Sequence, residues 1–189
     1  MDNPIRRSAA PTTDAELAAL EQRLAVRLPD PYRAFLLASN GGVPRRTQFL
    51  HENKEGKKRV TWLSHFYPAR RDGLIDPDWL DLPTANADRP EGLPAGTVFV
   101  ADAHFPGNTG KVCVGTEGER AGKVYFRPDV DGKKSTLYRV ADSWDEFLTE
   151  MTYPERKERA WRDPIEDGDV DGFRDWLGSH RRKLDDGAL

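Results

Sequence analysis

Between Thr13 and Pro44, apolar residues recur with the spacing of a helix. Leu17, Leu20, Leu24 and Leu28 lie three or four residues apart and therefore share one helical face. Thr13 precedes Glu16 by three residues, the spacing at which side chain and backbone satisfy each other's free groups at a helix start. Pro29 ends this helix. A second begins at Asp30-Pro31, with Asp30 as N-cap and Pro31 as first helical residue. Tyr32, Phe35 and Leu36 form its apolar stripe. Asn40-Gly41-Gly42 closes it, since glycine enters the left-handed region without a Cβ clash. Leu20, Leu24, Leu28, Phe35 and Leu36 are the expected buried positions.

Past Pro44 the spacing changes to that of strands. Candidate strands cover 47–51, 59–63, 97–102, 111–115, 122–127 and 136–140, each rich in β-branched or aromatic residues. Turn formers such as Asn53 to Gly56, Pro106-Gly107-Asn108 and Asp131-Gly132 separate successive strands. Such short links require antiparallel pairing, because parallel neighbours need a long crossover. Ser143 and Glu146 repeat the helix-start spacing and open a helix that buries Trp144, Phe147, Leu148 and Met151. The pattern predicts an α+β fold: a six-stranded antiparallel sheet with two N-terminal helices and C-terminal helices packed on it. Residues 1–11 read as a flexible arm. Residues 70–96 form an acidic excursion in which Pro77, Pro83, Pro90 and Pro94 forbid a long helix or a central strand. One helical turn is expected within it, at Asp78 to Leu82. Residues 153–189 read as a helical extension over 154–161 and 170–180, with Trp161 and Trp176 packing it back on the domain.

At 189 residues the chain fits one domain with a small appendage. Apolar residues make up 37% and charged ones 32%, which implies a large wetted surface. A net charge of −3 excludes the strongly basic footprint of a nucleic-acid binder, and the basic clusters are dispersed among acids. Cys113 is the one cysteine, so no internal disulfide can form; its place in a strand makes it a small core hydrophobe. The first residues lack the apolar run of a secretory signal, and no stretch reaches the roughly 20 apolar residues of a membrane span. The expectation is a soluble cytoplasmic protein.

Candidate chemistry is sparse. Asp167, Asp169, Asp171 and Gly172 match the opening of a calcium loop, but Gly178 stands where a bidentate acid should close it. Asp169 then reads as the cap of the last helix, and no metal is expected. His51, His65, His104 and His180 lack the i, i+4 pairing of a helical zinc site and read as solvent-facing or hydrogen-bonded. Gly107 to Lys111 lacks the first glycine and the Ser/Thr of a phosphate loop. Asp102 and His104, two apart at a strand end, could form an acid–base pair, although an Asp that stabilises the turn is the simpler reading. No serine lies in a nucleophile elbow. Nothing here calls for a cofactor or for catalysis.

Acidic residues do concentrate. Within 72–91, Asp72, Asp76, Asp78, Asp81, Asp88 and Glu91 stand against Arg89 alone, and 163–175 holds a similar excess.

The ordered set Leu20-Glu21, Leu28-Pro29, Tyr32, Phe35-Leu36, Asn40-Gly41-Gly42 and Pro44 resembles the start of a SUKH (Smi/Knr-like) domain. Lys123 to Phe126, Ala141 to Leu148 and the Asp102 to Asn108 loop are similar to its later part, so the resemblance covers residues 12–152. The excursion fits it poorly. The resemblance implies an immunity protein of a bacterial polymorphic toxin system: a cytoplasmic antitoxin that binds and blocks a cognate protein toxin, often a nuclease, with neither nucleic acid nor membrane as partner. The alternative it implies, through the fungal cell-wall regulators, is a non-catalytic regulatory adaptor. The expected partner-binding residues are Asp72, Asp76, Asp78, Trp79 and Asp81, with the tryptophan as anchor and the carboxylates facing a cationic active site.

Overall fold

The computed structural model describes residues 4–70, 79–88, 93–105, 108–129 and 136–153. Helix α1 spans Asp14–Leu24 and α2 spans Asp30–Ser39. Thr13 accepts the Glu16 N–H, and the Glu16 carboxylate accepts the Thr13 N–H at 2.8 Å, so the expected reciprocal cap is formed. The C-terminus departs from expectation. α1 stops one turn early at Ala25, which adopts a left-handed φ of 53°. Leu28 follows in extended chain yet is still buried, because the Glu21 carboxylate accepts its N–H at 2.8 Å and turns the segment inward. Leu24 is only partly buried, at the edge of the core. At α2 the N-cap is Pro29 rather than Asp30; the latter lies inside the helix and pairs in solvent with Arg27. Asn40 supplies the left-handed cap, and Leu17, Leu20, Tyr32, Phe35 and Leu36 are buried as expected.

The six expected strands are present as β3 (Gln48–Glu52), β4 (Lys58–Phe66), β5 (Thr97–Phe105), β6 (Asn108–Gly115), β7 (Val124–Pro128) and β8 (Tyr138–Ala141). They pair in sequence order, every pair antiparallel. The sheet curls until it is nearly a barrel. His51 of β3 comes within 5.6 Å of Tyr138 of β8, ring to ring, and Gln48 exchanges backbone hydrogen bonds with Thr152. Gly110 is required inside the curl, since a Cβ there would lie 2.6 Å from the Phe126 ring.

Helix α4 (Trp144–Glu150) closes the opening of the curl. Trp144 meets Tyr32 edge-on at 4.5 Å and also contacts Phe35, Phe66 and Phe147, which joins α2, α4 and the sheet in one aromatic cluster. The excursion contributes a short helix, α3 (Leu82–Ala85), four residues beyond its expected place because the side chain of Asp81, not Asp78, accepts the capping N–H.

Residues 4–11 are not the expected arm. Ile5–Arg7 forms β1, paired with β2 (Val43–Pro44), and Ile5 is 2% exposed. The Asn40 amide donates to the Ala10 carbonyl and accepts the Ala69 N–H at 2.8 Å, so one buried side chain pins this segment to the end of β4.

Candidate partner-binding surface

Alternation divides the sheet into an inner face, apolar and closed by the helices, and an outer face. Two bulges set what the outer face displays. On β4, Ser64 is an extra residue between the pairs Leu63–Ala103 and His65–Asp102. On β5, Val100 is extra between Phe99–Cys113 and Ala101–Val112. A bulge leaves one residue unpaired and shifts the phase of side chains beyond it. The result is a row across four strands: His65, Asp102, Lys111 and Arg127, each the register partner of the next.

Along this row the acid Asp102 stands between His65 and Lys111, with Arg127 beyond. The Asp102 carboxylate accepts from Lys111 Nζ at 2.8 Å and from the Tyr67 hydroxyl at 2.5 Å, and Lys111 also donates to the Tyr67 oxygen at 3.0 Å. His65 Nε2 lies 3.8 Å from the other Asp102 oxygen. Arg127 pairs with Asp129 at 2.5 Å. Burial, with the Asp102 charge second, pushes the Tyr67 phenol far above its ordinary value, so it remains a donor. Chemically, the Asp102 carboxylate is held by an ammonium and a phenol, and His65 Nδ1 lies 3.3 Å from the Ser64 hydroxyl. The expected strand end at Asp102 is displaced, for β5 runs on to Phe105. Asp102 therefore sits mid-strand and ties strands together instead of stabilising a turn. His104 shares its face but pairs across to Trp62 and Thr109.

Trp79 covers this network. Its ring stacks flat on His65, with centroids 4.2 Å apart and planes 10° apart, and it is half-buried. Below it the chain is fastened twice. Leu82 N–H donates to Pro68 O at 2.9 Å. Asn86 accepts the Phe99 N–H at 2.9 Å and donates to the Phe99 carbonyl at 3.0 Å, filling the ladder beside the Val100 bulge. Asp81, expected to face a partner, turns inward at 7% exposure, where it caps α3. Asp72, Asp76 and Asp78 lie outside the described residues, as do the calcium-like run 167–178, His180 and the helices expected over 154–161 and 170–180. Sequence reading singled out Trp79 as a partner anchor and did not single out His65, Tyr67 or Lys111, which the structure joins in the network on which Trp79 stacks. The available signal was the i, i+2 spacing of His65 and Tyr67, hidden by the unannounced bulge at Ser64.

Among the described residues, no group of three or more His, Cys, Asp or Glu gathers to hold a metal ion, and no helix is long and apolar enough to cross a membrane. Cys113 is fully buried in β6.

No curated protein and no solved structure matches the chain. Residues 11–150 match the SMI1 / KNR4 family (SUKH-1), nearly the whole span of the resemblance and of the sheet and helices just described. The chain belongs to that family.

Proposed function

We propose that this protein is an immunity protein, which binds a cognate protein toxin and neutralises it by stoichiometric occlusion, without turnover. Family membership is consistent with that role. The observation that carries the choice of surface is Trp79, partly exposed and held flat on His65 within the acidic excursion. A ring already fixed by stacking loses little freedom on binding, which is what an energetic anchor requires. Asp72, Asp76 and Asp78 precede it in the chain. A toxin that handles nucleic acid carries a cationic active site, and these carboxylates would occupy it in place of phosphates. Asp81 serves the surface indirectly, by capping α3 and thereby setting where Trp79 leaves the sheet.

The test is a calorimetric titration of the protein against the product of the neighbouring gene. Wild type should form a one-to-one complex that weakens with salt, since exposed charge pairs are screened. Trp79→Ala should cost about 2 kcal/mol or more of affinity, the range of a binding anchor. Asp76→Lys with Asp78→Lys should weaken binding at least about tenfold while the fold persists. Equal affinity of wild type and both variants would remove this surface from the mechanism. No complex with wild type would favour the regulatory-adaptor reading.

A further inference from the structure

A second concave surface lies on the outer face at its β7–β8 end. Tyr125 stands on β7 beside Arg139 of β8, its register partner. With Leu137 and Pro94 it lines a cavity of about 410 Å3, a size that takes one or two side chains. Among the described residues that line it are Arg120, Lys123 and Arg139, with the acid Glu119. Arg139 is shared with Asp142 at 3.1 Å, but both side chains are 61% exposed, so this pair is weak and easily exchanged. No carboxylate of the described residues pairs with Arg120 or Lys123. Burial raises the Tyr125 phenol above its ordinary value, and the charges of Arg120 and Arg139 oppose that rise, as expected of cations facing the same hollow.

We propose that this cavity binds an acidic stretch of a protein partner, seating a carboxylate among Arg120, Lys123 and Arg139 and an adjacent apolar side chain on Tyr125 and Leu137. Guanidinium forks match carboxylate geometry, and the two apolar walls reward a hydrophobic neighbour in a way that water-borne charge alone would not. A nucleic acid fits less well. A phosphate backbone needs a continuous cationic track, whereas Glu119 interrupts this rim and Asp142 pairs with Arg139. The site is independent of the toxin reading; it concerns any partner with such a segment.

A short capped peptide of alternating glutamate and leucine is the probe, with its glutamine counterpart as control, followed by amide NMR shifts on the full chain. The glutamate peptide should shift Lys123, Tyr125, Leu137 and Arg139 saturably, and the effect should weaken with salt. The control should bind at least about tenfold more weakly. Arg120→Glu with Lys123→Glu should abolish the response while amide shifts elsewhere stay in place, which shows the fold intact. Equal binding of both peptides, no response at these amides, or unchanged binding by the double variant would overturn the proposal. A stronger response of the same amides to a single-stranded oligonucleotide would overturn it in favour of nucleic acid.

Discussion

His51 couples the interior of the sheet to pH. It is 6% exposed, its Nδ1 lies 2.9 Å from the Thr61 hydroxyl, and its ring packs on Phe126 at 4.7 Å. Burial, aided by the Arg59 charge, lowers its pKa below the ordinary 6.5. The unfolded chain then binds a proton more readily than the folded one, so acid favours unfolding. Stability contributed by the neutral ring is complete above pH 6.5 and is lost as pH falls from there through the folded-state value. The melting temperature should therefore drop between neutral pH and about pH 5.5, and His51→Gln should flatten that slope. A variant with an unchanged slope would place the titration elsewhere. For His51 the sequence suggested solvent exposure or a hydrogen bond; the bond to Thr61 is formed, and the ring is buried rather than exposed. The bonding of Asp102 to Tyr67 and Lys111 was not legible. Those contacts join three strands, and which residues meet depends on single-residue bulges that alternation cannot announce.

At the scale of elements, caps were more legible than ends. Thr13 and Ser143 each open a helix where the spacing of a later Glu says one should start. The end of α1 was misjudged because Leu28 continues the apolar series, yet buries itself from extended chain. Here tertiary burial overrides helical periodicity. α3 begins later than the expected turn at Asp78 to Leu82, with Asp81 as its cap. What fastens α3 is Asn86, whose amide replaces strand partners for both polar groups of Phe99. Asn86→Ala leaves both unpaired in a buried place and should cost about 2–6 kcal/mol, measured by denaturant unfolding, at about 1–3 kcal/mol for each lost partner. It should also loosen Trp79, seen as a shift in tryptophan fluorescence, because the segment between Pro68 and Phe99 loses one of its two fastenings. A neutral outcome would mean that water replaces the amide.

At the scale of the whole domain, antiparallel pairing followed from the sequence because most strands are joined to the next by a short turn; β4 and β5, separated by residues 67–96, pair antiparallel as well. The part that escaped was the contribution of residues 4–11. They hold one large apolar side chain, Ile5, which gives no periodicity to read. Its burial beside β2 makes the segment part of the domain. Ile5→Ala should cost about 2–4 kcal/mol, the range for truncating a buried aliphatic side chain, whereas Ile5→Val should cost about 1 kcal/mol. A loss below a few tenths would return the segment to an ornament. One further feature of the whole is the junction of Gln48 with Thr152, which brings the first strand of the sheet against the last residues of the domain. During synthesis the hairpins of β3 to β7 can be completed as they leave the ribosome. The aromatic faces of Phe49 and Phe66 cannot be covered until Trp144 and Phe147 have also been made. The nascent chain thus carries an uncovered apolar surface for most of its elongation, and Thr152 marks the residue at which that exposure can end.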